Sequence, residues 1–71
     1  MPKLPVLTAK KVIRILQKEG FEIDHTTGGH YIFFNPTTKK RATVPFHVRD
    51  LPKGTLLSII KSSGISREYF I

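Results

Sequence analysis

Apolar and polar positions change their spacing twice along this chain, and the changes divide it into three parts. From Ala9 to Glu19, apolar Val12, Ile13 and Leu16 recur at helical spacing, with Lys10, Lys11, Arg14, Gln17 and Lys18 on the opposite face. That spacing predicts an amphipathic helix, with Thr8 placed to cap it and Gly20 to end it. The period then drops to two. Phe21 and Ile23 alternate with Glu22 and Asp24, as in a strand. Thr26-Thr27-Gly28-Gly29 reads as a turn, and His30 to Asn35, rich in aromatic residues, as the strongest strand. Pro36-Thr37-Thr38-Lys39 reads as a second turn and Lys40 to Pro45 as a third strand. After a loop from Phe46 to Pro52, helical spacing returns over Lys53 to Ser63, with Leu56, Leu57, Ile59 and Ile60 apolar and Gly64 as the stop. Ser66 is placed to cap a last short turn carrying Tyr69 and Phe70.

The expected order is helix, three-strand meander, helix, in one α+β domain over residues 1–71. Short turns make consecutive strands antiparallel neighbours. A three-stranded sheet needs a helical layer on one face, and two amphipathic helices supply it. The expectation is therefore α-β-β-β-α with both helices on one face, the layout of a double-stranded-RNA-binding domain. The central strand carries Ile32 and Phe34 on one face and Tyr31 and Phe33 on the other. One pair belongs to the core. The other forms a contact surface unless Tyr69 and Phe70 fold over it.

Composition narrows the function. At 71 residues the core is marginal and leaves no room for a second domain or a deep cofactor cleft. No βαβ unit with a glycine-rich turn is present for a dinucleotide, so no cofactor is expected. There is no cysteine, and hence no disulfide or thiolate metal site, which fits a reducing compartment. No apolar run approaches the roughly 20 residues of a membrane span. The segment Met1–Leu7, broken by Pro2 and Pro5, is too short for a signal peptide, so a cytoplasmic location is expected. Twelve Lys+Arg against five Asp+Glu give a net charge of +7, and the pI is near 10.2. Such an excess attracts polyanions, RNA foremost. An acidic protein partner is the competing reading, and solvated helix faces are the common fate of lysine runs.

Gly28-Gly29-His30 is the stretch that points to chemistry. Histidine can take and give a proton near neutral pH, and glycines beside it let the backbone approach a ligand. If each four-residue turn closes a simple hairpin, His25 sits opposite His30, His30 sits opposite Pro45, and His47 lies past the same end. All three histidines then meet at one edge. A zinc site lacks a fourth ligand of the usual kind and a helical i, i+4 pair, so no metal is expected. A polar residue opening a strand after a Gly-Gly turn is the plain alternative for His30. The candidate RNA contacts are Gly28, Gly29, Lys10, Lys11, Lys39, Lys40, Arg41, His47 and Lys53, with Arg49 following His47.

Several stretches, taken in order, resemble the HicA (YcfA-like) toxins of bacterial and archaeal toxin–antitoxin pairs. These are Leu4-Pro5-Val6-Leu7, Gly20-Phe21-Glu22, Gly28-Gly29-His30, Val44-Pro45-Phe46-His47, Lys53-Gly54-Thr55-Leu56 with Ile59 and Ile60, and Gly64-Ile65-Ser66. The combination spans nearly the whole chain. The resemblance implies a double-stranded-RNA-binding fold, cleavage of mRNA without a metal, a catalytic His30, and neutralisation by a HicB-like antitoxin. Two positions depart from the family pattern: Gly29 replaces the commoner serine, and His25 stands where arginine is frequent. The second proton-transfer group is left among His25, His47 and Tyr31. A non-catalytic RNA-binding module of the same fold is the rival expectation.

Overall fold

In the computed structural model, which describes residues 6–47 and 49–70, the elements run α1 (Ala9–Lys18), β1 (Glu22–Thr27), β2 (His30–Phe34), β3 (Arg41–Pro45), α2 (Lys53–Ser63) and a final 3₁₀ turn at Arg67–Phe70. The Leu4-Pro5 part of the resemblance lies outside the described residues. The strands form one antiparallel sheet in the order β1-β2-β3. The predicted α+β architecture holds.

Local chemistry explains the boundaries. Thr8 has extended backbone, and its hydroxyl accepts the Lys11 amide at 3.2 Å, which satisfies one free donor of the first turn of α1. Glu19 ends the helix and Gly20 follows at φ +95°, a backbone conformation that glycine adopts without a Cβ clash. Helix α2 stops at Gly64 in the left-handed conformation, whose N–H donates to the Ile60 carbonyl at 3.2 Å. Leu7 and Leu51 are joined by a 2.8 Å backbone hydrogen bond, and Thr8 bridges Asp50. That pairing pins the loop after β3 to the start of α1.

The core lies on one face of the sheet. Phe33 pairs with Ala42 and Tyr31 with Val44, and cross-strand partners share a face. Phe33, Ala42 and Val44 are buried, together with Val12 and Leu16 of α1 and Leu56 and Ile59 of α2. Both helices therefore cover the same face. Each large side chain buried there contributes about 1.5–3 kcal/mol. Phe70 joins this cluster and its turn packs on α1, whereas Tyr69 stays 59% exposed. The C-terminus thus adds to the helical side and does not fold over the opposite face, where Ile32 and Phe34 remain half-buried.

One sequence expectation is corrected. His25 does not face His30; it pairs with Ile32, and His30 pairs with Thr27. The turn is two residues long, not four, and Thr26 and Thr27 belong to β1. Gly28 and Gly29 have φ of +49° and +89°, the two consecutive positive values of the tight turn that best matches strand twist. A bulge between Ile23 and His25 shifts the register once more. The other predicted pairing, His30 with Pro45, is present.

Candidate functional site

The two-residue turn delivers His30 to the first position of β2, where its side chain is exposed. By register it shares the sheet face with Pro45, Thr43 and Arg41, the face turned away from the main core. An open groove of about 580 Å³ runs along the free edge of β3, between that strand and α2, with His30 at one end and Arg41 toward the other. One wall is β3. The other is α2, through Gly54, Thr55, Ser58 and Ser62. The first turn of α2 has no side-chain cap and no acidic residue, and it starts with Lys53. Unpaired N–H groups at a helix start favour negative charge. The groove therefore combines an imidazole, a guanidinium, several hydroxyls and a positive helix end. That set suits a phosphodiester.

Arg41 has neighbours of its own. Its guanidinium lies over the Phe34 ring, 4.7 Å from the centroid, and donates to Asp24 at 3.4 Å. Asp24 also accepts from His25 Nδ1 at 2.7 Å. The His25 hydrogen bond and then Arg41 hold the Asp24 carboxyl below the usual carboxylate range, against a smaller opposing effect of burial. His25 is thereby engaged with Asp24 and displaced from His30 by the register. Among the described residues, no three His, Cys, Asp or Glu side chains come together as a metal ion requires.

The other end of the molecule's chemistry lies one residue on. Tyr31 points to the helix face and stacks on Phe46 with ring centroids 4.2 Å apart and planes at 20°. These rings, with Thr8, Ile13, Lys10 and Arg49, line a second groove of about 560 Å³. His47 follows Phe46, their ring centroids 5.0 Å apart, and its imidazole packs directly on Gly29.

The sequence candidates thus fall into separate places. His30 and Arg41 share a groove with Gly54, the residue after Lys53. Lys10 belongs to the second groove, beside Arg49. The Lys40 stem lies against Gly64 at the end of α2. Lys39 sits at φ +65° in the turn before it, and Lys11 is exposed on α1. Gly28 and Gly29 form the turn itself. The hydroxyl wall of Thr55, Ser58 and Ser62 escaped the sequence reading. Its signal was present: those positions recur at spacings of three and four, one stripe of a helix. Asn35 was missed as well. It is 4% exposed, its amide donates to the Glu19 carbonyl, and its side-chain oxygen accepts from Thr37 and Thr38. It locks the β2–β3 turn to the end of α1.

Comparison with protein families gives a match over most of the chain. The family model of the HicA toxin of bacterial toxin–antitoxin systems matches residues 9–65 of the 71-residue chain. The matched span includes every strand, both helices, the glycine turn, His30 and His47. A search of curated proteins finds no match.

Proposed function

We propose that this chain, which belongs to the HicA toxin family of toxin–antitoxin systems, is a metal-independent endoribonuclease that cleaves mRNA. His30 is its proton-transfer residue, and a HicB-like antitoxin inhibits it. The observation that carries the reading is the position of His30, exposed after a tight glycine turn at the end of a groove that also holds Arg41. The charge of +7 supports a polyanionic substrate.

The chemistry follows from that set of groups. Cleavage of RNA without a metal uses the neighbouring 2′-hydroxyl as nucleophile. It needs a base for the hydroxyl proton, an acid for the departing 5′-oxygen, and positive charge on the phosphate oxygens. His30 supplies one proton-transfer function, a contribution of typically ~10²–10⁴-fold. Arg41, the α2 N-terminus and nearby lysines supply the charge, and fixed donors at developing charge are commonly the larger effect. Gly28 and Gly29 keep side chains out of the approach to His30. Lys10, Lys11, Lys39, Lys40, His47 and Lys53 extend the binding surface along the RNA. Covering the His30 groove with an antitoxin removes the activity. The toxin's site of action is the cytoplasm, where mRNA is found; none of the described helices is long and apolar enough to cross a membrane.

The test compares wild type with His30→Ala, each checked for folding by circular dichroism. The variant is expected to lose RNA cleavage and growth arrest while still binding RNA, and wild-type cleavage is expected to continue in EDTA. A folded His30→Ala protein that cleaves at the wild-type rate returns the chain to a non-catalytic RNA-binding module. Loss of cleavage in EDTA alone returns the histidines to a metal site.

A further inference from the structure

We propose that His47 is the second proton-transfer group of this site, paired with His30 across the Gly28-Gly29 turn. The inference rests on the ribonuclease reading above and names the group that reading leaves open.

Three side chains compete for the role, and their surroundings separate them. His25 is paired with Ile32 and its Nδ1 is 2.7 Å from the Asp24 carboxylate, so its ring is already committed to a neighbour. Tyr31 follows His30 in the strand and so turns to the opposite face, where it stacks on Phe46. His47 remains. It lies two residues beyond Pro45, the cross-strand partner of His30, and is exposed.

What holds His47 there is specific. The Phe46 amide donates to the Gly29 carbonyl at 3.1 Å, tying the chain just before His47 to the turn just before His30. The Phe46 ring is wedged against Tyr31 and lies 5.0 Å from the imidazole. The imidazole then occupies the space where a side chain at position 29 would begin: a Cβ on Gly29 would stand 2.1 Å from both Cδ2 and Nε2 of His47. Those are ring atoms of the exposed His47 side chain, so any residue but glycine displaces the ring from this seat. Gly29 is thus explained twice, by its φ of +89° and by the histidine seated on it. A serine here is incompatible with this seat. The exchange removes a hydroxyl and admits a second imidazole beside His30.

Two imidazoles at one turn fit the reaction's two proton transfers. One takes the 2′-hydroxyl proton as the O2′–P bond forms. The other, protonated, gives its proton to O5′ as the P–O5′ bond breaks. The products are a 2′,3′-cyclic phosphate and a 5′-hydroxyl, the proton count is unchanged, and no co-reactant is needed.

The experiment measures cleavage of a short RNA against pH for wild type, His47→Ala, His47→Gln and His25→Ala, all checked for folding. Wild type and His25→Ala are expected to give bell-shaped profiles. Both His47 variants are expected to cleave about 10²–10⁴-fold more slowly and to lose one limb of the bell. A second substrate carries sulfur in place of the bridging 5′-oxygen, a leaving group that needs no acid. It should rescue one of His30→Ala and His47→Ala and not the other, which identifies the acid. His47 variants that match wild type across the pH range overturn the pairing while leaving His30 intact. So does a uniform loss that keeps both limbs and is not relieved by the sulfur substrate, since that is the mark of a merely structural residue. A wild-type protein that cleaves no RNA overturns the ribonuclease reading and the pairing together.

Discussion

Strands β1 and β3 flank the same central strand, yet they live in different environments. All six residues of β1 are exposed, including Ile23 at 48%. In β3, Ala42 and Val44 are 2% and 0% exposed, and both helices pack on the strand. The sequence does not announce this contrast, because Phe21 and Ile23 alternate with Glu22 and Asp24 much as Ala42 and Val44 alternate with Arg41 and Thr43. Register makes it sharper: Ile23 pairs with fully buried Phe33 and so belongs to the core face, but no helix extends far enough to cover it. Alternation tells which face a side chain takes, not whether anything lies over that face. The consequence for the site is a division of labour. The β3 side of His30 is fixed by tertiary packing against α2, and the β1 side is held by turn geometry and by Asp24 with its partners His25 and Arg41.

The sharpest way to break this contrast is to truncate one apolar side chain in each strand. Val44→Ala should cost about 2–3 kcal/mol, from lost burial plus the cavity left behind. Ile23→Ala should stay within about 0.5 kcal/mol. Urea unfolding of the two variants checks this, and equal losses would show that β1 is packed after all. A smaller effect is expected at Asn35, which ties the β2–β3 turn to α1. Asn35→Ala should lower stability by about 1–2 kcal/mol, because buried amide and carbonyl groups lose their partner. Thermal unfolding reads it, and the loss should exceed that of Ile23→Ala despite the polar side chain. The smallest effect belongs to Asp24. Its folded carboxyl titrates below the ordinary value of 3.8, so its contribution is complete above that value and is lost as the pH falls through the lower folded one. The pair is exposed and screened, so the change is slight. It should show as a small acid-side drop in stability, present in wild type and absent in Asp24→Asn.

Much of the architecture could be read from the chain because local signals agreed with tertiary needs. Thr8, Gly20 and Gly64 bound the helices where the sequence puts them, and His30 to Pro45 pairing follows from the length of the second turn. The misreading came at Thr26-Thr27-Gly28-Gly29. Four turn-forming residues in a row do not reveal which two make the turn, and only the paired positive φ values of the glycines settle it. The Asp24 bulge has no residue signature of its own, and its effect on His25 was therefore invisible. At the site, His30 was legible because glycines marked it. The hydroxyl wall was not, since serines and threonines on a helix read as ordinary solvent-facing positions until β3 is laid beside them. The lysines were legible as charge and illegible as a surface: their distribution over separate grooves depends on packing that charge counting ignores.

The bulge at Asp24 has a consequence for the molecule's behaviour in company. A β1 edge with every side chain exposed is a template onto which another chain can add a strand, the usual route to self-association and fibrils. The inserted residue breaks the even ladder of donors and acceptors, and the exposed Asp24 puts a carboxylate at that edge. An uncovered strand in a small domain thereby carries its own obstacle to strand addition.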